Sequence, residues 1–566
     1  MSRERAQPIR PTQFITTYGP GAILDTLRGP RLIYSLADST LFGESSSPVE
    51  YEIKEPALQQ MLPEHSRIFR LPSNADRGLE DNVAMYQTAA FPMWSLCTVH
   101  SVLYRSKYPS RKACPRCPAT SEGAAWEQAR EQAVSFVQAC PEGHLDEVSW
   151  SYLLHKESGR ADCQPEFIEW HGSGGPLRGV RLVCPGCKAS VGFGDLYHRD
   201  HTCRGRFPEH RGAVPAGCSA SARISQRAAS DLYLPEVRTA LTLPQVDSDL
   251  HRALRHDSVF SQLELMSRMV PTLGEEHWAM ALTGARVPTE IREQIERASL
   301  EQRGEALKRV LDESVSLTES EARGLELRAL LDSGPTGRPR TANFELDAQG
   351  AREFSLGPMR LKVTPVNRLR MVAAQVGYRR LNGTVVECGL QHGSQTWFPG
   401  VEQFGEGLFL ELVTPPRDTG PAWNAWRTRA EGTGEDSDAP LLVWWHTLSH
   451  RLIRALSVDS GYSAASVRER LYYDGERGGL LIYAVQPGGD GTLGGLVALV
   501  PRFDRILASA LEGLETCSND PLCGDQAVSA SRQSGATCYA CCLLSETSCE
   551  MRNLSLDRRV LLETLF

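Results

Sequence analysis

Cys184-Pro-Gly-Cys187 sets two thiols three positions apart across a Pro-Gly turn. A turn of this kind points both sulfurs at one centre, and a tetrahedral zinc needs two such pairs. A second plain knuckle, Cys114-Pro-Arg-Cys117, lies upstream. Nine of the 16 cysteines fall between Cys97 and Cys218 and six between Cys517 and Cys549, leaving Cys388 alone between the two groups. A lone cysteine is usually a small core residue. Clustering of this kind points to metal sites, because a reducing cytoplasm, the expected compartment, disfavours a disulfide framework.

Each knuckle seeks a partner pair. Cys97-Thr-Val-His100 gives the first set: Cys97, His100, Cys114 and Cys117. The second knuckle is followed by Cys203 and Cys218, which gives Cys184, Cys187, Cys203 and Cys218. Between them, Cys140-Pro-Glu-Gly-His144, His155 and Cys163 make a third set. Zinc modules also interleave their pairs, so Cys140 and His144 could instead share a metal with Cys184 and Cys187. Near the end, Cys517, Cys523, Cys538 and Cys541 form a four-thiolate set, with Cys549 a substitute for Cys517 and Cys542 expected to point away. Four protein ligands leave no open position for water, so two to four structural zinc ions are expected, not catalytic ones.

The totals set the frame. A chain of 566 residues is too long for one core. With 41% hydrophobic and 23% charged residues, the balance is that of folded domains. No run approaches the roughly 20 apolar residues of a membrane helix. Met1-Ser-Arg-Glu-Arg is followed by no apolar core, so no secretory leader and no membrane association are expected. The formal net charge of -8 excludes a strongly basic DNA-coating protein. Nucleic-acid contact must then come from local arginine patches. Arg204, Arg206, Arg451, Arg454, Arg468 and Arg470 are candidates, because they lie in or near ribbon and helix segments.

Along the chain these features predict an α+β multidomain protein. Residues 1–95 hold the Gly19-Pro-Gly21 turn after a β-branched run, and 96–235 form a zinc-ribbon-like N-terminal region. Residues 236–340 read as a helical middle segment, because stretches such as Thr289 to Leu300 carry apolar residues at helical spacing. It closes on a linker at 333–339, Ser-Gly-Pro-Thr-Gly-Arg-Pro. Residues 341–566 form a mixed α/β C-terminal zinc-binding domain, with a helix over Trp444–Leu456 and a buried strand over Gly479–Val485.

Active-site signatures are sparse. His446 and His450 stand four apart and so share a helix face. A zinc protease needs Glu directly after the first His, and Thr447 stands there. The pair is expected to pack inside or to touch a neighbouring turn. The glycine-rich loop from Gly488 to Gly495 lacks the Lys-Ser/Thr ending of a phosphate loop, and no Walker A sequence occurs anywhere. A non-enzymatic protein is expected. The alternative is a metal-dependent nuclease or phosphohydrolase using His446, His450 and Asp490.

Several stretches together resemble a known family. They include Arg10-Pro-Thr-Gln-Phe-Ile-Thr-Thr-Tyr-Gly-Pro-Gly-Ala22, Cys140-Pro-Glu-Gly-His144, Arg227-Ala-Ala-Ser-Asp-Leu-Tyr-Leu-Pro235 and Val376-Gly-Tyr-Arg-Arg-Leu381. Further ones are His446-Thr-Leu-Ser-His450, Gly491-Thr-Leu-Gly-Gly-Leu-Val497 and Cys538-Tyr-Ala-Cys-Cys542. The chain resembles the DrmB family, the helicase-associated subunit of the DISARM bacterial antiphage system. Its C-terminal part is similar to the zinc-binding domain at the end of MrfA-type DNA-repair helicases. That resemblance puts a structural zinc on Cys517, Cys523, Cys538 and Cys541. The long gap between Cys523 and Cys538 departs from the pattern and keeps Cys549 in play. It further implies a separate DrmA-type helicase as partner, contact with phage DNA at single-strand/duplex junctions, and nuclease-like and methyltransferase subunits alongside. It assigns no catalytic residue.

Overall fold

The computed structural model describes residues 8–565, apart from 27–28, 40, 43–45, 82, 107–113, 118–130, 157–162, 173–175, 244–248, 271, 284–286, 313–315, 332–340, 342, 488–493 and 530–531. The chain divides into two compact units, neither continuous in sequence. The first comprises 1–54, 65–238 and 373–401, and the second 55–64, 239–372 and 402–566. The sequence segments 1–95, 96–235, 236–340 and 341–566 divide the chain along its length. In space, residues 373–401 of the last segment pack with the first unit. These residues include the end of one long strand, Met359–Arg379, and the start of another, Gln395–Leu412.

In the first unit, short antiparallel strands build small sheets. One runs in the order Ser190–Gly192, Arg181–Val183, Phe167–His171, Val102–Arg105, Trp94–Cys97 and Glu131–Ala133. Another runs His201–Thr202, Ser221–Gln226, Phe136–Ala139 and Leu145–Asp146. Trp150, Phe193, Leu103, Ile168 and Leu182 fill the core between them. The Gly19-Pro-Gly21 turn is packed, not presented. A Cβ at Gly19 would stand 2.1 Å from Gln375 Oε1, and Gly21, at φ +84°, would meet the Tyr378 ring at 2.8 Å. Only glycine tolerates both the close approach and the left-handed backbone. Gly21 also gives its carbonyl oxygen to Arg380 Nη2 at 2.8 Å.

In the second unit, Gly478–Pro487 pairs antiparallel with Val467–Tyr473 on one side and with residues 403–411 on the other. Arg352–Leu356 pairs with Met359–Val363. The helices Pro421–Thr433, Pro440–Asp459, Phe503–Leu511 and Arg558–Leu565 bring Trp426, Trp444, Trp445, Leu448, Leu452 and Phe503 into one large apolar cluster. The helix Pro440–Asp459 begins with Pro at its first position, where the missing N–H costs nothing. Helices between Asp249 and Asp312 gather around a separate core of Trp278, Leu263 and Ile295. No helix among the described residues is long and apolar enough to cross a membrane.

Candidate metal centres

Among the described residues, four groups of cysteine and histidine side chains come together, each with its ligand atoms within 4.8 Å of one another. Thiolates bound at about 2.3 Å to one zinc stand about 3.8 Å apart in a tetrahedron, which sets the scale for judging them.

Cys97, His100, Cys114 and Cys117 meet at the end of the hairpin strand Trp94–Cys97. His100 Nδ1 lies 3.7 Å from Cys97 Sγ, 3.7 Å from Cys114 Sγ and 3.4 Å from Cys117 Sγ. Ser101, at φ 48°, turns the chain out of the group into the next strand.

The next two groups differ from the partition expected from spacing. The structure gathers Cys140, His144, Cys203 and Cys218, and separately His155, Cys163, Cys184 and Cys187. Each sequence pair stays intact but takes a different partner. Strand pairing is the reason. Phe136–Ala139 lies against Ser221–Gln226, with Ala139 opposite Arg223, and Thr202 lies opposite Ser221. Cys140, Cys203 and Cys218 therefore flank one edge of the same sheet. Cys140 Sγ is 3.5 Å from Cys203 Sγ and 3.3 Å from His144 Nδ1. Cys184 and Cys187 occupy the turn between Arg181–Val183 and Ser190–Gly192, and Cys163 precedes the neighbouring strand Phe167–His171. Cys163 Sγ is 3.6 Å from Cys184 Sγ. His155, on the helix Trp150–Lys156, gives Nδ1 to the Ser151 carbonyl at 2.7 Å, which leaves Nε2 as its lone-pair nitrogen.

Cys517, Cys523, Cys538 and Cys541 form a four-thiolate group. The sulfurs of 517 and 538 are 3.4 Å apart, those of 523 and 541 3.7 Å, and those of 538 and 541 3.8 Å. Amide N–H groups reach the sulfurs, as from Asn519 to Cys517 at 3.5 Å. Amides near a thiolate favour its charged form. Burial raises the Cys541 thiol less than its hydrogen bonds lower it, the one from Cys542 foremost, and it sits at about 5. Cys542 stays outside the group. Cys549 does not stand in for Cys517, because it lies with His446, His450 and Glu469. Three groups offer three thiolates and one imidazole and the fourth offers four thiolates. Both donor sets are those of structural zinc, and the short, well-formed separations are compatible with it.

His446 and His450 are fully buried, with rings 4.5 Å apart. Asp490 and most of its glycine-rich loop lie outside the described residues. Glu469, which nothing in the sequence singles out, joins the histidines.

The arginine candidates separate by burial. Arg204 and Arg206 are 42% and 50% exposed, both leaning on Asp146 beside the Cys140 group. Arg468 is half-buried and donates to Gln403 at 3.4 Å. Arg470 is a correction: it is fully buried, its guanidinium bonded to Glu326 and Thr239, with no face left for a phosphate. It lies in the strand Val467–Tyr473, both faces of which are covered, so the exposure expected of an arginine fails there. Arg451 and Arg454 are committed to backbone carbonyls, the first to those of Ala510 and Cys541 at 2.7 and 2.8 Å and the second to those of Tyr539 and Ala540 at 3.1 Å.

Residues 448–542, which include all four cysteines of the thiolate group, match the MrfA Zn-binding domain family. Residues 10–234, which include the three groups containing histidine, match a domain of unknown function, DUF8724. The chain thus carries a zinc-binding domain at its C-terminal end. It is similar to the DISARM protein DrmB of Bacillus paralicheniformis, with 24% identity over 485 residues, 80% of this chain and 83% of that one. The resemblance seen in the motifs is borne out. A solved structure of the DUF1998 helicase MrfA bound to DNA shares 13% identity over 32% of this chain and 22% of that one, at a TM-score of 0.19, too low to carry an argument.

Proposed function

We propose that this chain is the non-catalytic, DrmB-like subunit of a DISARM-type antiphage complex in the bacterial cytoplasm. It binds a DrmA-type helicase and contacts phage DNA at single-strand/duplex junctions, with nuclease-like and methyltransferase subunits acting alongside. Similarity to DrmB along 80% of the chain carries this reading. The helicase supplies ATP hydrolysis and translocation, and this chain supplies zinc-ordered surface.

In this reading the four groups each hold one zinc. Cys97, His100, Cys114 and Cys117 close the first, and Cys140, His144, Cys203 and Cys218 the second. His155, Cys163, Cys184 and Cys187 close the third, and Cys517, Cys523, Cys538 and Cys541 the fourth. The first three make the N-terminal half zinc-ribbon-like, with a helical middle segment after it. Each ion orders short strands and loops that bury too little apolar surface to hold themselves. Arg204 and Arg206 are the phosphate contacts of choice, since both are exposed beside a zinc group.

Copurification of the full chain with the helicase of its own gene neighbourhood tests the reading. A stable complex, with DNA-dependent helicase activity raised by the subunit and no hydrolysis by the subunit alone, is expected. Failure to form a complex, or metal-dependent cleavage of nucleic acid by the isolated chain, would overturn it.

A further inference from the structure

His446 and His450 lie one turn apart on the helix Pro440–Asp459 and aim into the same space. Glu469 enters that space from the strand Val467–Tyr473, and Cys549 from the turn that follows the thiolate group. His446 Nε2 stands 3.2 Å from Cys549 Sγ and 3.2 Å from Glu469 Oε1. His450 Nε2 stands 3.5 Å from the same carboxylate oxygen. The histidines and Glu469 are 0% exposed and Cys549 is 6% exposed.

The contacts behind these side chains fix their chemistry. His446 gives Nδ1–H to the Ser555 carbonyl at 3.2 Å, and His450 gives its own to the Cys542 carbonyl at 2.9 Å. In each neutral ring Nε2 is then the lone-pair nitrogen, and both lone pairs face a carboxylate and a thiol. Such outer hydrogen bonds are what orient a metal-bound imidazole. The Asn553 amide donates to Cys549 Sγ at 3.1 Å, and Glu469 accepts from the Glu550 amide at 3.1 Å and from the Ser449 hydroxyl.

Without a metal, this pocket is neutral either with both rings protonated against a carboxylate and a thiolate, or with one ring protonated against the carboxylate and the thiol uncharged. With a dication among the four side chains, both rings are neutral and both acids ionised. Without the ion, His450 Nε2 points at the Glu469 oxygen 3.5 Å away, which His446 Nε2 already approaches at 3.2 Å. Two buried rings that share one carboxylate oxygen at these separations are incompletely satisfied. A metal ion turns the same nitrogen into a ligand at no such cost.

We propose that His446, His450, Glu469 and Cys549 bind a fifth divalent metal ion, zinc by donor type, in a closed structural site. Two imidazoles, one carboxylate and one thiolate complete a tetrahedron and sum to neutrality with a dication. The ion ties a helix, a strand and the chain's last cysteine turn together. It is distinct from the four-thiolate group, and of its ligands only His450 and Glu469 lie inside the matched residues 448–542.

The test uses the full chain. Crystals measured above and below the zinc absorption edge are expected to give an anomalous peak among these four side chains. Absence of that peak, with the peak at Cys517, Cys523, Cys538 and Cys541 present, would overturn the proposal. In solution, the double variant His450→Ala/Cys549→Ala should bind one metal equivalent fewer than the unmodified chain, whereas Cys388→Ala should lose none. Unchanged metal content in the double variant would also overturn it. Neither readout involves the helicase or DNA, so this site and the defence-subunit reading can fail separately.

Discussion

His450 donates from Nδ1 to the carbonyl oxygen of Cys542, 2.9 Å away, so the helix Pro440–Asp459 grips the backbone of the cysteine loop it faces. Arg451 and Arg454, on the same helix, hold the carbonyls of Cys541, Tyr539 and Ala540. The loop that carries two thiolates is thus positioned by a rigid element as well as by its own turn.

Arg451→Ala removes charged donors from the carbonyls of Ala510 and Cys541. Hydrogen bonds from charged groups contribute about 1.5–3 kcal/mol each at most, so a destabilisation of about that size is expected for the variant. Thermal unfolding and the rate of zinc loss to a chelator report it. An unchanged melting temperature would show that the loop holds without the helix.

Arg380 and Glu209 form an ion pair at 3.0 Å with both side chains 1% exposed. Tyr378 shares the carboxylate, and Arg380 also bonds the Gly21 carbonyl. Arg380→Ala leaves a buried carboxylate uncompensated, a loss of about 3–5 kcal/mol. Chemical denaturation of the full chain should show it in the transition of the first unit. The Gly19-Pro-Gly21 turn is expected to loosen with it, read as faster amide exchange at Gly21.

If Arg204 and Arg206 meet phosphates, replacing them weakens DNA binding about equally for all sequences. Each loss should also flatten the plot of log K against log salt by about one unit. Arg470→Met should instead change stability, because its side chain is buried on Glu326. Titrations of the helicase complex over a range of salt separate the two outcomes.

Burial pushes the Glu236 carboxyl up, but Arg379 and Arg238 outweigh it, and its folded value falls below the ordinary 4.5. A depressed carboxylate stabilises the fold above its unfolded value and loses that stabilisation as pH falls through the folded one. Arg379→Gln should therefore reduce the part of the acid-induced loss of stability that begins below about pH 4.5. Melting temperatures between pH 6 and pH 3, on the order of half a unit apart, would show a shallower acid slope in the variant.

Local chemistry was legible in the sequence, and long-range pairing was not. Cys184-Pro-Gly-Cys187 and Cys140-Pro-Glu-Gly-His144 are turns whose geometry follows from a few residues. Which turn shares a centre with which depends on strands brought together over long separations, as when Ala139 finds Arg223. Nothing near either cysteine encodes that. Cys549 reads as one more thiol near a four-cysteine cluster, and its neighbours His446 and Glu469 lie 103 residues and 80 residues upstream. The histidines at 446 and 450 did announce a shared helix face. Glu469, set in Arg468-Glu-Arg470, reads as a solvated charge until the strand is seen to be buried on both sides.

The central claim is that metal orders this chain. Elemental analysis of the purified full-length protein, followed by thermal unfolding before and after a strong chelator, tests it most directly. The account predicts at least four zinc ions per chain, about one per four ligands, and a marked fall in melting temperature once they are removed. Cys541→Ser should lose one of them. A metal-free protein that folds and melts as the untreated one does would contradict it.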